Sequence, residues 1–173
     1  MLGDILGMRA PLCEVCLNSD ILCQGCAGKL ERGELSKADV DVSRFVWGMS
    51  EKLHSLKEAS IKKVIDSDVL LLVAAKGDGA KLVGKGGVVV KALAKQWGKS
   101  IRVLEEKDFK PFVAELLHPL TVTGINTLYT PEGEILRVRT PVAQKPRSII
   151  TPEGFSCMMQ SLYGHKAELL FED

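Results

Sequence analysis

The sequence has no stretch near the roughly 18 consecutive apolar residues that a membrane-spanning helix needs. Its first residues, Met1–Arg9, also lack the basic start and the long apolar core of a secretory signal peptide. With 46% hydrophobic and 26% charged residues, the 173-residue chain has the composition of a globular protein. We therefore expect a cytoplasmic protein of one ordinary domain or two small ones, with no membrane partner.

Aromatic residues are few, with two Trp, two Tyr and five Phe. Extensive stacking of nucleobases on aromatic rings is therefore not expected. Trp97 lies on the apolar face of a predicted helix, so we assign it to core packing.

Signatures of catalysis are also missing. His54, His118 and His165 are scattered, and none has a recognisable spacing to a Cys, Ser or Asp. Cys157 lies among apolar residues of a predicted helix, so we expect a buried small hydrophobe and not a nucleophile. These absences predict a protein that is not an enzyme and has no small-molecule substrate.

A net charge of +1 conceals an uneven distribution of charge. Residues 1–43 carry four basic and seven acidic residues, whereas residues 76–107 carry eight basic and three acidic ones. A local excess of positive charge favours contact with phosphates, although a solvated lysine-rich helix face has the same composition. The excess surrounds a glycine-rich turn, and this position favours nucleic acid.

Four of the five cysteines form the motif Cys-x2-Cys-x6-Cys-x2-Cys, at Cys13, Cys16, Cys23 and Cys26. Two such pairs can bring four thiolates together around one Zn2+, which prefers tetrahedral sulfur ligands. All four positions would be filled by protein, so the metal would be structural and would supply folding free energy to a short segment. Zinc is favoured, while an iron–sulfur cluster and redox thiols remain the alternatives.

The glycine-rich turn Gly84–Gly87 lies between two predicted helices, Ala80–Val83 and Val88–Trp97. Glycines let a backbone approach phosphates closely, and the N-terminus of the second helix offers unpaired N–H donors. Val90, Leu93 and nearby apolar residues give that second helix one buried face. The candidate nucleic-acid-binding residues are Gly84, Lys85, Gly86, Gly87, Lys81, Lys91 and Lys95, with Lys99 adding longer-range attraction.

Residues Gly79–Gly86 come close to a phosphate-binding P-loop but do not match it. That motif ends in Ser or Thr, whose hydroxyl ligates Mg2+, and this chain has Gly86 at that position. The predicted helix Ala80–Val83 would also interrupt the loop. Nucleotide hydrolysis is therefore not expected.

The order of predicted elements indicates an α+β fold with three parts. A cysteine module with a helical connector covers residues 1–42, and a long helix begins at Ser36 or Asp39 as its N-cap. Residues 43–107 then read strand, strand, helix, glycine turn, helix, strand, and residues 108–173 read helix, strand, strand, helix, strand. The predicted strands are Ile61–Ile65, Val69–Ala75, Ile101–Glu105, Leu120–Tyr129, Glu134–Arg139 and Lys166–Phe171.

The segment Leu82-Val83-Gly84-Lys85-Gly86-Gly87 resembles the Ile-Gly-x-x-Gly core of KH domains, and the surrounding element order is that of the type II KH fold. The cysteine pairs, one complete KH unit and one degenerate KH-like unit together resemble archaeal NusA-like, KH-domain RNA-binding proteins. This resemblance implies that Gly84–Gly87 clamp an RNA backbone, with Lys85 adding charge. It also implies an aliphatic base groove, for which Val83, Val90 and Ile65 are candidates.

Two functions follow as hypotheses from this sequence. The first is a non-enzymatic binder of single-stranded RNA in transcription elongation or termination, or in RNA processing. The second is a protein-interaction adaptor, in which the zinc module docks on RNA polymerase or the ribosome and the KH unit is a scaffold. The chain lacks the polymerase-binding and S1 regions of bacterial NusA.

Overall fold

The chain forms seven α-helices and two small mixed sheets across residues 7–173, which are the residues that this computed structural model describes. The prediction that Met1–Arg9 is not a signal peptide concerns residues that lie mostly outside this range. Backbone contacts divide the chain into two units. One comprises the residues up to 66 together with 70–106, and the other comprises residues 67–69 and 107–173.

The first unit contains five helices and one three-stranded sheet. Its helices are α1 (Glu14–Leu17), α2 (Gln24–Glu31), α3 (Lys37–Ser50), α4 (Gly79–Val83) and α5 (Val88–Trp97). Its strands are β1 (Ile61–Asp66), β2 (Leu70–Ala74) and β3 (Ile101–Glu105), and short 3-10 helices cover His54–Glu58 and Lys85–Gly87.

Helix α3 begins with a capping box. Ser36 is the N-cap: its Oγ accepts from the N–H of Asp39 at 3.0 Å, and Asp39 Oδ2 accepts from the N–H of Ser36 at 2.8 Å. The second carboxylate oxygen of Asp39 accepts from the N–H of Val64 in β1 at 2.6 Å. One buried carboxylate therefore fixes the start of the helix and ties it to the sheet.

Strand β2 is the centre of the first sheet. It pairs antiparallel with β1 and parallel with β3, and all five of its residues are buried. An unbroken apolar run is typical of such a strand, because both of its faces are covered. Helices α3 and α5 pack on one face, where Val46, Val89 and Leu93 join Leu70 and Leu72 in a single apolar cluster.

The buried face of α5 differs from the predicted one by one position. Val89 and Leu93, one turn apart, are fully buried, whereas Val90 is only half-buried. Trp97 packs edge-on against Phe45 of α3, with ring centroids 5.3 Å apart. The helix ends at Gly98, which adopts φ = 64°.

The second unit contains two helices and a second three-stranded sheet. The elements are α6 (Phe109–Leu117), β4 (Gly124–Thr130), β5 (Gly133–Pro141), α7 (Pro152–Tyr163) and β6 (Lys166–Glu172), with a 3-10 helix over Val142–Arg147. Strand β5 pairs antiparallel with β4 and parallel with β6, so the strand order and senses match those of the first sheet. Strand β4 begins at Gly124 and not at Leu120, because the chain turns at residues 118–120 and residues 121–123 are irregular.

The expectation for Cys157 was wrong. Phe155, Met158 and Met159 occupy the buried face of α7, and Cys157 lies on the exposed side of the same helix. Successive side chains of a helix point about 100° apart, so Cys157 lies about 200° around the helix from Phe155, on the side opposite the buried residues. In residues 7–173, no helix is both long enough and apolar enough to cross a membrane.

Candidate metal centre and glycine turn

The two cysteine pairs have the same local geometry. Cys13 is the N-cap of α1 and Cys16 is the third residue of that helix, and Cys23 and Cys26 hold the same positions in α2. Both N-cap residues are extended, with φ/ψ of −72°/159° and −67°/163°. An N-cap side chain and the third helical residue lie on the same side of the first turn, so each pair presents two sulfurs together.

The fold brings the four sulfurs into one cluster. All four Sγ atoms lie within 4.8 Å of one another, and the Cys13–Cys23 and Cys13–Cys26 Sγ distances are both 3.8 Å. Four sulfurs bound tetrahedrally at about 2.3 Å from a metal would be about 3.8 Å apart. The separations are far longer than the roughly 2.05 Å of a disulfide, and all four cysteines are free thiols. The arrangement fits one metal ion held by four thiolates.

Backbone hydrogen bonds to sulfur change the acidity of two of the thiols. The N–H of Cys26 donates to Cys23 Sγ at 3.4 Å, and this bond, with those from the other thiols, lowers the pKa of Cys23 to about 6. The N–H of Cys23 donates to Cys16 Sγ at 3.1 Å and by itself lowers the pKa of that thiol. Burial and the other three thiols outweigh it and raise the pKa of Cys16 to about 12. Cys23 is therefore the more acidic of these two thiols, and a metal ion bound by Cys16 would have to displace its proton.

A small apolar cluster supports the cysteine module. Cys16 and Cys26 are buried, whereas Cys13 and Cys23 are exposed. The two buried cysteines pack with four aliphatic residues, Leu12, Leu17, Leu35 and Val40.

Two hydrogen bonds also connect the cysteine module to α3. Arg44 Nε donates to the Cys16 carbonyl at 2.9 Å, and Trp47 Nε1 donates to Asn18 Oδ1 at 2.8 Å. The module is thus fixed to the long helix of the first unit.

Gly84 is the most constrained glycine of the turn. Its φ and ψ of 78° and 162° lie in a region that is essentially restricted to glycine. A Cβ at this position would lie 2.8 Å from side-chain carbons of both Val88 and Val89. Any side chain would therefore strain the backbone and push α5 away from α4.

Gly86 and Gly87 have a different role. Their φ values are 65° and 74°, and a Cβ on Gly86 would meet no atom within 4 Å. The conformation requires glycine-like freedom, but the space outside the turn is open. A ligand can therefore reach the backbone of this turn without an obstructing side chain.

The N-terminus of α5 adds backbone donors at the turn. The first N–H groups of a helix have no partner within the helix, and the N-cap Gly87 has no side chain to accept from them. Aligned peptide dipoles add a partial positive charge at this end. The turn is therefore suited to an anionic group such as a phosphate.

The predicted lysines fall into two groups. Lys85, Lys91 and Lys95 are exposed, and none of them takes part in the ion pairs found within residues 7–173. Lys81 instead pairs with Asp78 at 3.0 Å and contacts Glu58 at 3.9 Å, and Lys99 pairs with Asp66. Lys81 and Lys99 therefore have part of their charge neutralised within the unit.

Two acidic residues that the sequence analysis did not single out hold helix α4 in place. Asp78 Oδ2 accepts from the N–H of Ser60 at 3.0 Å, and Glu105 Oε1 accepts from the N–H of Gly79 at 3.1 Å. Asp78 stands directly before a helix, which is a recognisable sequence signal. Glu105 acts from β3, a contact that no local pattern reveals.

The three groove candidates do not lie together. Val83 and Val90 are half-buried on the helices that flank the turn. Ile65 is buried, and it alternates along β1 with Val64, which faces the helices. Ile65 therefore points to the opposite face of the sheet and is not available to a groove beside the turn.

Of the comparisons with known proteins, the one with solved structures finds a similar fold, and those with family models and curated sequences find no match. No protein-family model matches the chain, and no curated protein matches its sequence. Among solved structures, the crystal structure of APE1850 is similar to this fold, with a TM-score of 0.55 and 16% sequence identity. The match covers 75% of this chain and 96% of that one. At this level of identity the likeness concerns the fold alone.

Proposed function

We propose that this chain is a non-enzymatic RNA-binding protein of the type II KH class, which clamps the backbone of single-stranded RNA at Gly84–Gly87. The observation that carries the proposal is the uncapped N-terminus of α5 behind glycines of positive φ. One phosphate would accept hydrogen bonds from the first-turn N–H groups of α5, while Lys85 would contact a neighbouring phosphate. Lys91 and Lys95 would supply attraction along the same helix.

The proposed groove for bases is aliphatic, because the chain has few aromatic residues and both candidates are valines. Val83 and Val90 are its remaining candidates, since Ile65 faces the other way. Recognition would then depend on backbone clamping and on base edges, with little stacking.

The second unit is proposed to be a degenerate KH-like copy. Its sheet repeats the strand order and senses of the first sheet, and α7 connects β5 to β6 as α5 connects β2 to β3. It has no glycine turn corresponding to Gly84–Gly87. One RNA clamp per chain is therefore expected. The proposed role of the protein is that of a NusA-like factor, acting in transcription elongation or termination, or in RNA processing.

We assign the four-cysteine cluster to one structural zinc ion. Cys13, Cys16, Cys23 and Cys26 would fill all four positions of a tetrahedral site. The metal would be a folding element: it would hold α1 and α2 together and place them on α3. Elemental analysis of protein purified from metal-replete medium should find about one zinc per chain, whereas iron with acid-labile sulfide would assign a cluster instead.

The binding experiment is a titration of fluorescent single-stranded RNA with the metal-loaded chain. If three lysines contact phosphates, log K should fall with log salt concentration with a slope of about −2. Between 50 and 200 mM salt this slope corresponds to an affinity loss of about 20-fold. Affinity that is independent of salt would contradict the proposed clamp.

A second candidate function, a protein-interaction adaptor, is favoured by the surface of the cysteine module. Val15 and Ile21 are 70% and 78% exposed, and they adjoin the acidic residues Glu14 and Asp20. Exposed apolar side chains with acidic neighbours suit a protein partner better than RNA, with RNA polymerase and the ribosome as candidates. Substituting Val15 and Ile21 by Ser should abolish capture of such a partner and leave RNA affinity unchanged.

A further inference from the structure

Strand β4 (Gly124–Thr130) is an edge strand without the protection that edge strands normally have. It pairs with β5 at one end of the sheet order β4–β5–β6. Its sequence, Gly-Ile-Asn-Thr-Leu-Tyr-Thr, contains no charged residue and no proline. Natural edge strands are usually short, or carry charge or proline that prevents pairing with another chain. At seven residues, β4 is longer than the typical strand of five or six.

Four side chains of β4 are exposed to solvent. Leu128 and Tyr129 are 36% and 76% exposed, and Asn126 and Thr127 are exposed as well. Helix α7 packs against β6, at the far end of the sheet from β4. Among the described residues, β4 therefore combines an edge that no other strand pairs with and exposed apolar side chains.

We propose that β4 pairs antiparallel with β4 of a second copy of this chain, joining two three-stranded sheets into one of six strands. The register that overlaps all seven residues places Thr127 opposite Thr127 of the second copy. Ile125 then lies opposite Tyr129, and Asn126 opposite Leu128. Threonine pairs and pairs of aromatic with β-branched residues are favourable across strands, and no like charges oppose each other. The interface is symmetric, as in most homodimers.

The lack of charge on β4 argues for a second copy over other occupants. An RNA backbone would need cations, and β4 has none; Arg137 and Arg139 on β5 are paired with Glu168 and Glu172. A charged segment of another protein would find no complementary group on the strand. A second copy of β4 meets neither obstacle, because every position in the full-length register faces a neutral residue.

A charge swap at the symmetry axis tests this pairing. Sedimentation equilibrium of the metal-loaded full chain should show a dimer. Thr127→Lys places two lysines opposite each other and should raise the dimer dissociation constant about tenfold or more. Thr127→Glu should do the same, and an equimolar mixture of the two variants should restore the dimer. Gln160→Lys, on the exposed side of α7, is the matched control and should change nothing.

Cysteine crosslinking tests the register. In a Cys157→Ser background, Thr127→Cys should give a covalent dimer with a short bismaleimide, measured against the Cys157→Ser parent. Ile125→Cys should not, because residue 125 would lie four residues, or about 14 Å, from its counterpart along the strands. A wild-type chain that is monomeric throughout a concentration series would overturn the proposal. A dimer that Thr127→Lys leaves intact, or equal crosslinking at both positions, would overturn it too.

Discussion

Reversing the charge of the glycine turn is the sharpest perturbation of the proposed clamp. The double variant Lys85→Asp, Gly86→Asp changes the local charge by three units at positions that are exposed, and at Gly86 a new Cβ meets no atom within 4 Å. Asp tolerates positive φ better than most residues, so the cost to folding at φ = 65° is at most about 1–2 kcal/mol.

The expected loss of RNA affinity follows from simple electrostatics. A unit charge about 5 Å from a phosphate in water interacts by about 0.8 kcal/mol. Three unit changes therefore weaken binding by about 2.5 kcal/mol, or about 60-fold at low salt. Fluorescence anisotropy with labelled single-stranded RNA at low ionic strength measures this difference directly.

A matched control separates a local contact from a general charge effect. Gly33 also has positive φ (74°) with open space around it, and Lys37 is exposed nearby. Lys37→Asp with Gly33→Asp makes the same change in charge outside the turn and should reduce affinity by much less. Equal losses in the two double variants would refute the clamp, as would full RNA affinity in the turn variant with its fold intact by circular dichroism.

Three further predictions concern the fold and the metal centre. Gly84→Ala should lower the free energy of unfolding by about 2–4 kcal/mol, because its Cβ would contact Val88 and Val89 at 2.8 Å. Urea denaturation measures this loss. A loss no larger than that of Gly86→Ala would contradict the prediction. Asp39→Ala should lower the free energy of unfolding by about 2–3 kcal/mol, since the N–H groups of Ser36 and Val64 lose their acceptor. A melting temperature equal to that of the wild type would contradict this prediction. Cys16→Ser should remove the bound metal and expose α1 and α2 to proteolysis, whereas Cys157→Ser should retain the metal; equal metal content in both variants would rule out the four-cysteine site.

Local signals were sufficient for much of the fold. The unbroken apolar run at β2 and the terminating Gly98 are both properties of a few neighbouring residues, and the structure has a buried strand and a helix end at these positions. The spacing of the four cysteines likewise predicted their convergence, because each pair spans one helical turn.

Contacts between distant residues explain what the sequence analysis missed. Val89, not Val90, is buried because the packing of α5 against α3 and β2 sets the rotation of the helix. Lys81 contacts Glu58 because the 3-10 helix that contains Glu58 lies beside α4, and Glu105 reaches Gly79 from a strand 26 residues later. The closer partner of Lys81, Asp78, is only three residues away, so this pair has a local sequence signal. Helical periodicity specifies that a face is buried, but its exact orientation depends on the neighbours that cover it.

The most direct measurement of the central claim is a backbone amide NMR titration of the metal-loaded chain with single-stranded RNA. We predict that the largest shifts fall on the amides of Lys85–Val89, which lie in the turn and at the N-terminus of α5, where phosphate would bind. Shifts that leave these amides unchanged while others move would contradict the clamp at Gly84–Gly87.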